Sequence, residues 1–77
     1  MDGNMKERII TDLALAAYLS CIGHQLSTIT PQGRRLEFHF QSSQQLEEDI
    51  LSFYNRQGRV DPLAFAETFR NLKALTH

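Results

Sequence analysis

The side chains best suited to chemistry in this chain are one cysteine, three histidines and a scatter of arginines. Cys21 and His24 stand three apart, and His39 and His77 are the only other imidazoles. A tetrahedral zinc site takes four nitrogen or sulfur ligands. Gly23 interrupts the Cys21–His24 pair and the other histidines fall on different elements, so neither a metal nor another cofactor is expected. A thiolate–imidazole pair from Cys21 with His24 or His39 would need a lowered thiol pKa. Cys21 instead closes an apolar helix with no cation near it in sequence. There is no nucleophile elbow, no glycine-rich phosphate loop and no HExxH. Glu47, Glu48 and Asp49 read as a solvated helix face that complements the helix dipole, not as an acid/base pair. The expectation is a protein that is not an enzyme.

Arginine carries the more interesting possibilities. Arg34 and Arg35 fall at a hairpin tip, and Arg56 and Arg59 in a loop between the last two helices. If that loop packs near the tip, the four guanidinium groups form one patch, and guanidinium bonds phosphate and carboxylate bidentately. With Tyr54 and His39 nearby, a nucleic-acid base would also find stacking partners. The competing interpretation has Arg34 and Arg35 keeping an edge soluble and Arg59 tying down its loop against Asp61 or a helix carboxylate. A second candidate surface is the outward strand face bearing Glu37 and His39 with Ser27 or Thr28. A partner strand could dock there by β-augmentation.

Composition limits the alternatives. Eight Lys and Arg balance nine Asp and Glu for a net charge of −1, without the basic excess usual in phosphate binders. Seventy-seven residues with 42% hydrophobic content make one modest core. One cysteine precludes an internal disulfide and suits a reducing compartment. The opening MDGNMKERII has no apolar targeting core. The longest apolar run, Leu13 to Leu19, falls well short of the ~20 residues of a membrane span. A cytoplasmic protein with no membrane contact is expected.

The elements that would hold these side chains are legible from periodicity. Residues 1–10 read as a flexible leader before a single domain over residues 11–77. Thr11 or Asp12 caps a helix from Asp12 to Ile22 that ends at Gly23. That helix is apolar nearly all round, which makes it the central helix or sets one of its faces against a partner subunit. Gln25 to Phe40 reads as a hairpin turning at Pro31-Gln32-Gly33, with Leu36, Phe38 and Phe40 inward. Leu26 and Ile29 cannot both face inward on a regular strand, which predicts a bulge or a twist near Ser27. Ser42 or Ser43 caps a helix over Gln44–Asn55 with a stripe of Leu46, Ile50, Phe53 and Tyr54. Ser42 with Gln45 would form a capping box. Asp61-Pro62 opens the last helix, running to about Leu75 with Phe65, Phe69, Leu72 and Leu75 inward. The predicted class is α+β: a two-stranded antiparallel hairpin covered by three helices in the order α-β-β-α-α.

Four stretches carry a resemblance: DLALAAYLSCIGH at 12–24, GRRLEFHF at 33–40, LEEDILSFYN at 46–55 and RVDPLAFAETFRNLKAL at 59–75. Within them stand Gly23-His24, Gly33-Arg34-Arg35, Phe53-Tyr54-Asn55 and Arg59-Val60-Asp61-Pro62. Over about residues 11–75 the chain resembles a family of small bacterial and phage-associated proteins classed only as a domain of unknown function. The resemblance implies a small free-standing bacterial domain and brings no activity, ligand or partner. Both hairpin strands would be edges, and two strands alone are marginal in water. The functional expectation is therefore a protein–protein interaction module, homo-oligomeric through its hairpin or holding another protein. The alternative is a nucleic-acid-binding accessory protein using the four arginines.

Overall fold

Strand alternation at Leu36, Phe38 and Phe40 fixes the centre of the molecule. The computed structural model describes residues 6–76. Its elements run β1 (Glu7–Ile10), α1 (Leu13–Cys21), β2 (Leu26–Gln32), β3 (Arg35–Gln41), α2 (Gln44–Tyr54) and α3 (Pro62–Lys73), followed by a 3-10 turn over Ala74–Thr76. The α+β class and the three helices are as expected. The sheet is not: it has three antiparallel strands in the order β1-β3-β2. The third strand comes from residues 7–10, which were expected to belong to a flexible leader. Residues 1–5 of that leader lie outside the described residues. The observed order is therefore β-α-β-β-α-α.

The difference has a physical origin. Glu-Arg-Ile-Ile is too short to show a period of two, and only its β-branched pair favours extended backbone. Pairing with β3 supplies what the local sequence lacks. Ile10 lies opposite Phe38 and is buried with it, while Ile9 lies opposite His39 on the other face.

The hairpin departs from expectation in one detail. Pro31 is not in the turn but in β2, opposite Leu36, and the chain reverses at Gly33-Arg34. Gly33 has φ 61°, the left-handed conformation that glycine adopts without a Cβ clash. The bulge is where the apolar pattern places it, as a register shift between Leu26 and Thr28. It turns both Leu26 and Ile29 toward the core side.

Helix ends follow their capping residues. Asp12, not Thr11, caps α1, its Oδ1 accepting from the Ala14 and Leu15 amides at 3.0 and 3.3 Å. Ser43 caps α2 through the Leu46 amide at 3.0 Å, so the Ser42–Gln45 capping box does not form. Asp61 caps α3 through the Ala64 amide at 2.9 Å with Pro62 in its first turn. Gly23, with φ 106°, follows α1 in the left-handed conformation. Its amide bonds Ser20 O and the His24 amide bonds Leu19 O. That crossed pair is a Schellman motif.

Five consecutive residues of α1, Leu15 to Leu19, are buried, which requires neighbours on every side. β1, α2 and α3 supply them. Phe38, Phe40, Leu19 and Leu46 are the largest fully buried side chains. The α2 stripe is shorter than its spacing suggests, for Tyr54 is 58% exposed while Leu46 and Ile50 are buried. In α3, Leu72 is buried and Phe65 and Phe69 are partly buried, while Leu75, expected inward, lies in the following 3-10 turn and is exposed.

Truncating Phe38 to alanine should cost about 3–5 kcal/mol, since a fully enclosed ring leaves a cavity. Phe69→Ala should cost less, because the partly buried ring gives up less enclosed volume. Urea unfolding of the two variants against the parent checks the order.

Candidate functional site

The outward face of the sheet carries the best-defined polar arrangement among the described residues. Alternation sends Phe38 and Phe40 inward and Glu37 and His39 outward. Pairing with β1 then sets Glu7 beside His39, with Nδ1 3.0 Å from Glu7 Oε1. Ser27, displaced by the bulge, donates its hydroxyl to Glu7 Oε2 at 2.8 Å, and Ser27 Oγ also lies 2.9 Å from the His39 carbonyl oxygen. One carboxylate thus ties three strands together. The Ser27 hydroxyl first, and the His39 ring second, hold the Glu7 carboxyl below its ordinary value. As an anion Glu7 can only accept, so the proton of the 3.0 Å contact resides on His39 Nδ1. His39 Nε2 is buried without a hydrogen-bond partner, and Glu37 Oε1 stands 3.8 Å away. The His39 side chain is only 13% exposed, with Glu7, Ser27 and Glu37 beside it among the described residues.

The two free edges of the sheet differ. Ser42 donates its amide to the Lys6 carbonyl at 2.9 Å, and alternation along the ladder then turns the backbone groups of Arg8 and Ile10 toward β3. Glu7 and Ile9 therefore present their N–H and C=O to the open side. On the opposite edge the same alternation turns Ile29 and Pro31 outward. Pro31 has no N–H to offer a docking strand, and the bulge distorts the ladder further. Among the described residues the open edge is β1.

The sequence-derived residues divide accordingly. Glu37 and His39 lie together on the outward face. Arg34 and Arg35 are exposed at the hairpin tip, and Arg56 and Arg59 are exposed in the loop between α2 and α3. Among the described residues none of these four arginines makes an ion pair or a side-chain hydrogen bond, the Arg59–Asp61 tie included. His24, a metal candidate in sequence, bonds Asp49 Oδ2 at 2.6 Å with both side chains largely buried. That contact pins the end of α1 to α2, so Asp49 is not simply a solvated helix residue. Glu47 likewise reaches Arg8 at 3.7 Å. Among the described residues no three His, Cys, Asp or Glu side chains gather as a metal site, and His77 lies outside them. No helix among the described residues is long and apolar enough to cross a membrane.

Glu7 and Ile9 are the residues that sequence reasoning missed, and Ile9-Ile10 is the only signal for them. The molecule is a small α+β domain whose three-stranded sheet is covered by helices on one face. The chain belongs to the family described as domain of unknown function DUF5659, whose model matches residues 5–77. No curated protein and no solved structure matches it.

A carboxyl with a depressed folded-state pKa stabilises above its unfolded value and loses that contribution as pH falls through the folded value. The stability difference between the parent and Glu7→Gln should thus be full near about pH 6 and shrink below the ordinary carboxylate range near about pH 4. Urea unfolding across this range checks it, and a difference that stays constant would mean that the contacts do not favour the ionised form of Glu7.

Proposed function

We propose that this domain is a non-enzymatic protein–protein interaction module that self-associates along its sheet. The observation that carries the reading is Ile9, 49% exposed on the edge strand that, among the described residues, keeps complete backbone groups open to pairing. The hairpin's own edge is the poorer site, because Pro31 and the bulge at Ser27 lie on it. β1 takes its place. The exposed apolar surface continues from Ile9 onto α2, since Ile9 and Tyr54 line one shallow cleft of about 160 Å³. Leu51, 62% exposed, lies one helical turn before Tyr54.

Two copies paired through β1 about a two-fold axis at Ile9 would exchange the backbone bonds of that residue. The two Ile9 side chains would meet on the outward face and cover each other. Leu51 and Tyr54 would flank the joint on the helical face. Each copy would lose an unpaired edge, which is the liability that a short exposed strand carries.

Nucleic acid is the alternative partner. Glu7 and Glu37 on the outward face repel phosphate, so the sheet-edge reading is preferred. Sedimentation equilibrium at micromolar concentration should give a dimer for the parent and a monomer for Ile9→Lys, whose fold is retained because Ile9 faces outward. A parent that remains monomeric to about 100 μM, an affinity too weak for a specific dimer, would overturn self-association. Salt-dependent binding of DNA or RNA at about 50 mM salt, lost on replacing Arg34 and Arg35, would favour the alternative.

A further inference from the structure

A second feature lies away from the sheet, where the end of α2 and the following loop fold against α1. Tyr18, Phe53, Arg56, Gly58, Val60 and Phe65 line a cleft of about 350 Å³. That volume is at the lower end of the range for small-molecule sites. Three of the lining residues are aromatic, and Tyr18 and Phe53 already stack in a tilted pair with ring centroids 5.4 Å apart. Gly58 lets the loop close over the Tyr18 ring: a Cβ there would come within 2.5 Å of the tyrosine oxygen. The Tyr18 hydroxyl has no hydrogen-bond partner among the described residues, although the residue is only 6% exposed.

Arg56 is the second element. α2 ends like α1, in a Schellman motif. The Arg56 amide bonds Phe53 O at 3.1 Å and the Gln57 amide bonds Ser52 O at 2.8 Å. The residue following the cap is left-handed in both cases. After α1 it is Gly23, and after α2 it is Arg56 with φ 60°. Arginine meets a Cβ clash in this conformation that glycine avoids. Among the described residues it is the only non-glycine with positive φ. The strained backbone is held where Arg56 lines an aromatic cleft, and among the described residues its guanidinium has no carboxylate partner. Strain of this kind gathers at ligand-binding positions.

We propose that the cleft binds a small aromatic carboxylate. The ring lies among Phe53, Phe65 and Val60, the Arg56 guanidinium pairs with the carboxylate, and the Tyr18 hydroxyl donates a hydrogen bond to it. An apolar body suits the aromatic walls, and the unpaired guanidinium selects an anion over its neutral isostere. This proposal is independent of the sheet edge, which lies on other residues.

The test uses the full 77-residue chain, nitrogen-15 labelled, titrated with indole-3-acetate and with indole-3-acetamide. Indole-3-acetate should shift the Arg56, Gly58 and Val60 amides saturably, and the amide should bind about tenfold more weakly, the loss of one charge-assisted contact. Arg56→Gly removes the guanidinium while relieving the left-handed strain, so its melting temperature should stay at or above the parent's. It should bind the two compounds equally and weakly. Arg59→Gln, with the same loss of charge outside the cleft, should behave as the parent. Absence of saturable shifts in the millimolar range, equal affinity of the parent for acid and amide, or an undiminished preference in Arg56→Gly would each overturn the proposal.

Discussion

Everything in this fold depends on β3 being paired on both sides. It is the one strand whose apolar and polar residues alternate cleanly, so it must sit between a core and an open face. A two-stranded hairpin would leave one of its edges without partners. β1 closes that edge over Phe38 to Gln41 and in doing so brings Ile10 into the core beside Phe38. The inner face then has enough apolar surface to bury Leu15 to Leu19 of α1 together with Leu46 and Ile50 of α2.

The same pairing builds the outward face. Glu7 meets His39 only because β1 crosses at that register, and Ser27 reaches Glu7 only because β2 bulges there. The contacts are polar and lie at the surface, where solvent screens them, so their contribution to stability is modest. Their structural effect is larger than their energy, since they join all three strands around a largely enclosed imidazole. The edges inherit opposite characters from the ladder's alternation. Pro31 turns its missing donor outward on β2, while Glu7 and Ile9 offer complete backbone groups on β1.

The helices end by one geometry applied to two different residues. Gly23 meets the left-handed requirement after α1 without strain, and His24 beyond it is free to reach Asp49. Arg56 meets the requirement after α2 against its own Cβ. Gly58 then allows the loop to lie on Tyr18, and the consequence is an aromatic cleft with a cation at its wall.

Features set by neighbours along the chain are legible in the sequence itself. They include Asp12 and Asp61 as caps, the left-handed Gly23, the bulge near Ser27, the inward Phe38 and Phe40, and the central position of α1. Each rests on a local preference or on a period that a few consecutive residues can express. Where two neighbours compete, as Thr11 with Asp12 or Ser42 with Ser43, local preference alone does not choose. Tertiary structure decides what depends on partners far along the chain. It makes a strand of Glu7–Ile10, moves Pro31 from a turn to an edge, exposes Tyr54 and gives Asp49 to His24. A four-residue segment has too little pattern of its own, and a side chain's exposure is settled by what packs over it. The arginines show the same division: their positions at the hairpin tip and between α2 and α3 are readable from sequence, but that Arg56 alone of the four lines the aromatic cleft beside Tyr18 is set by the fold.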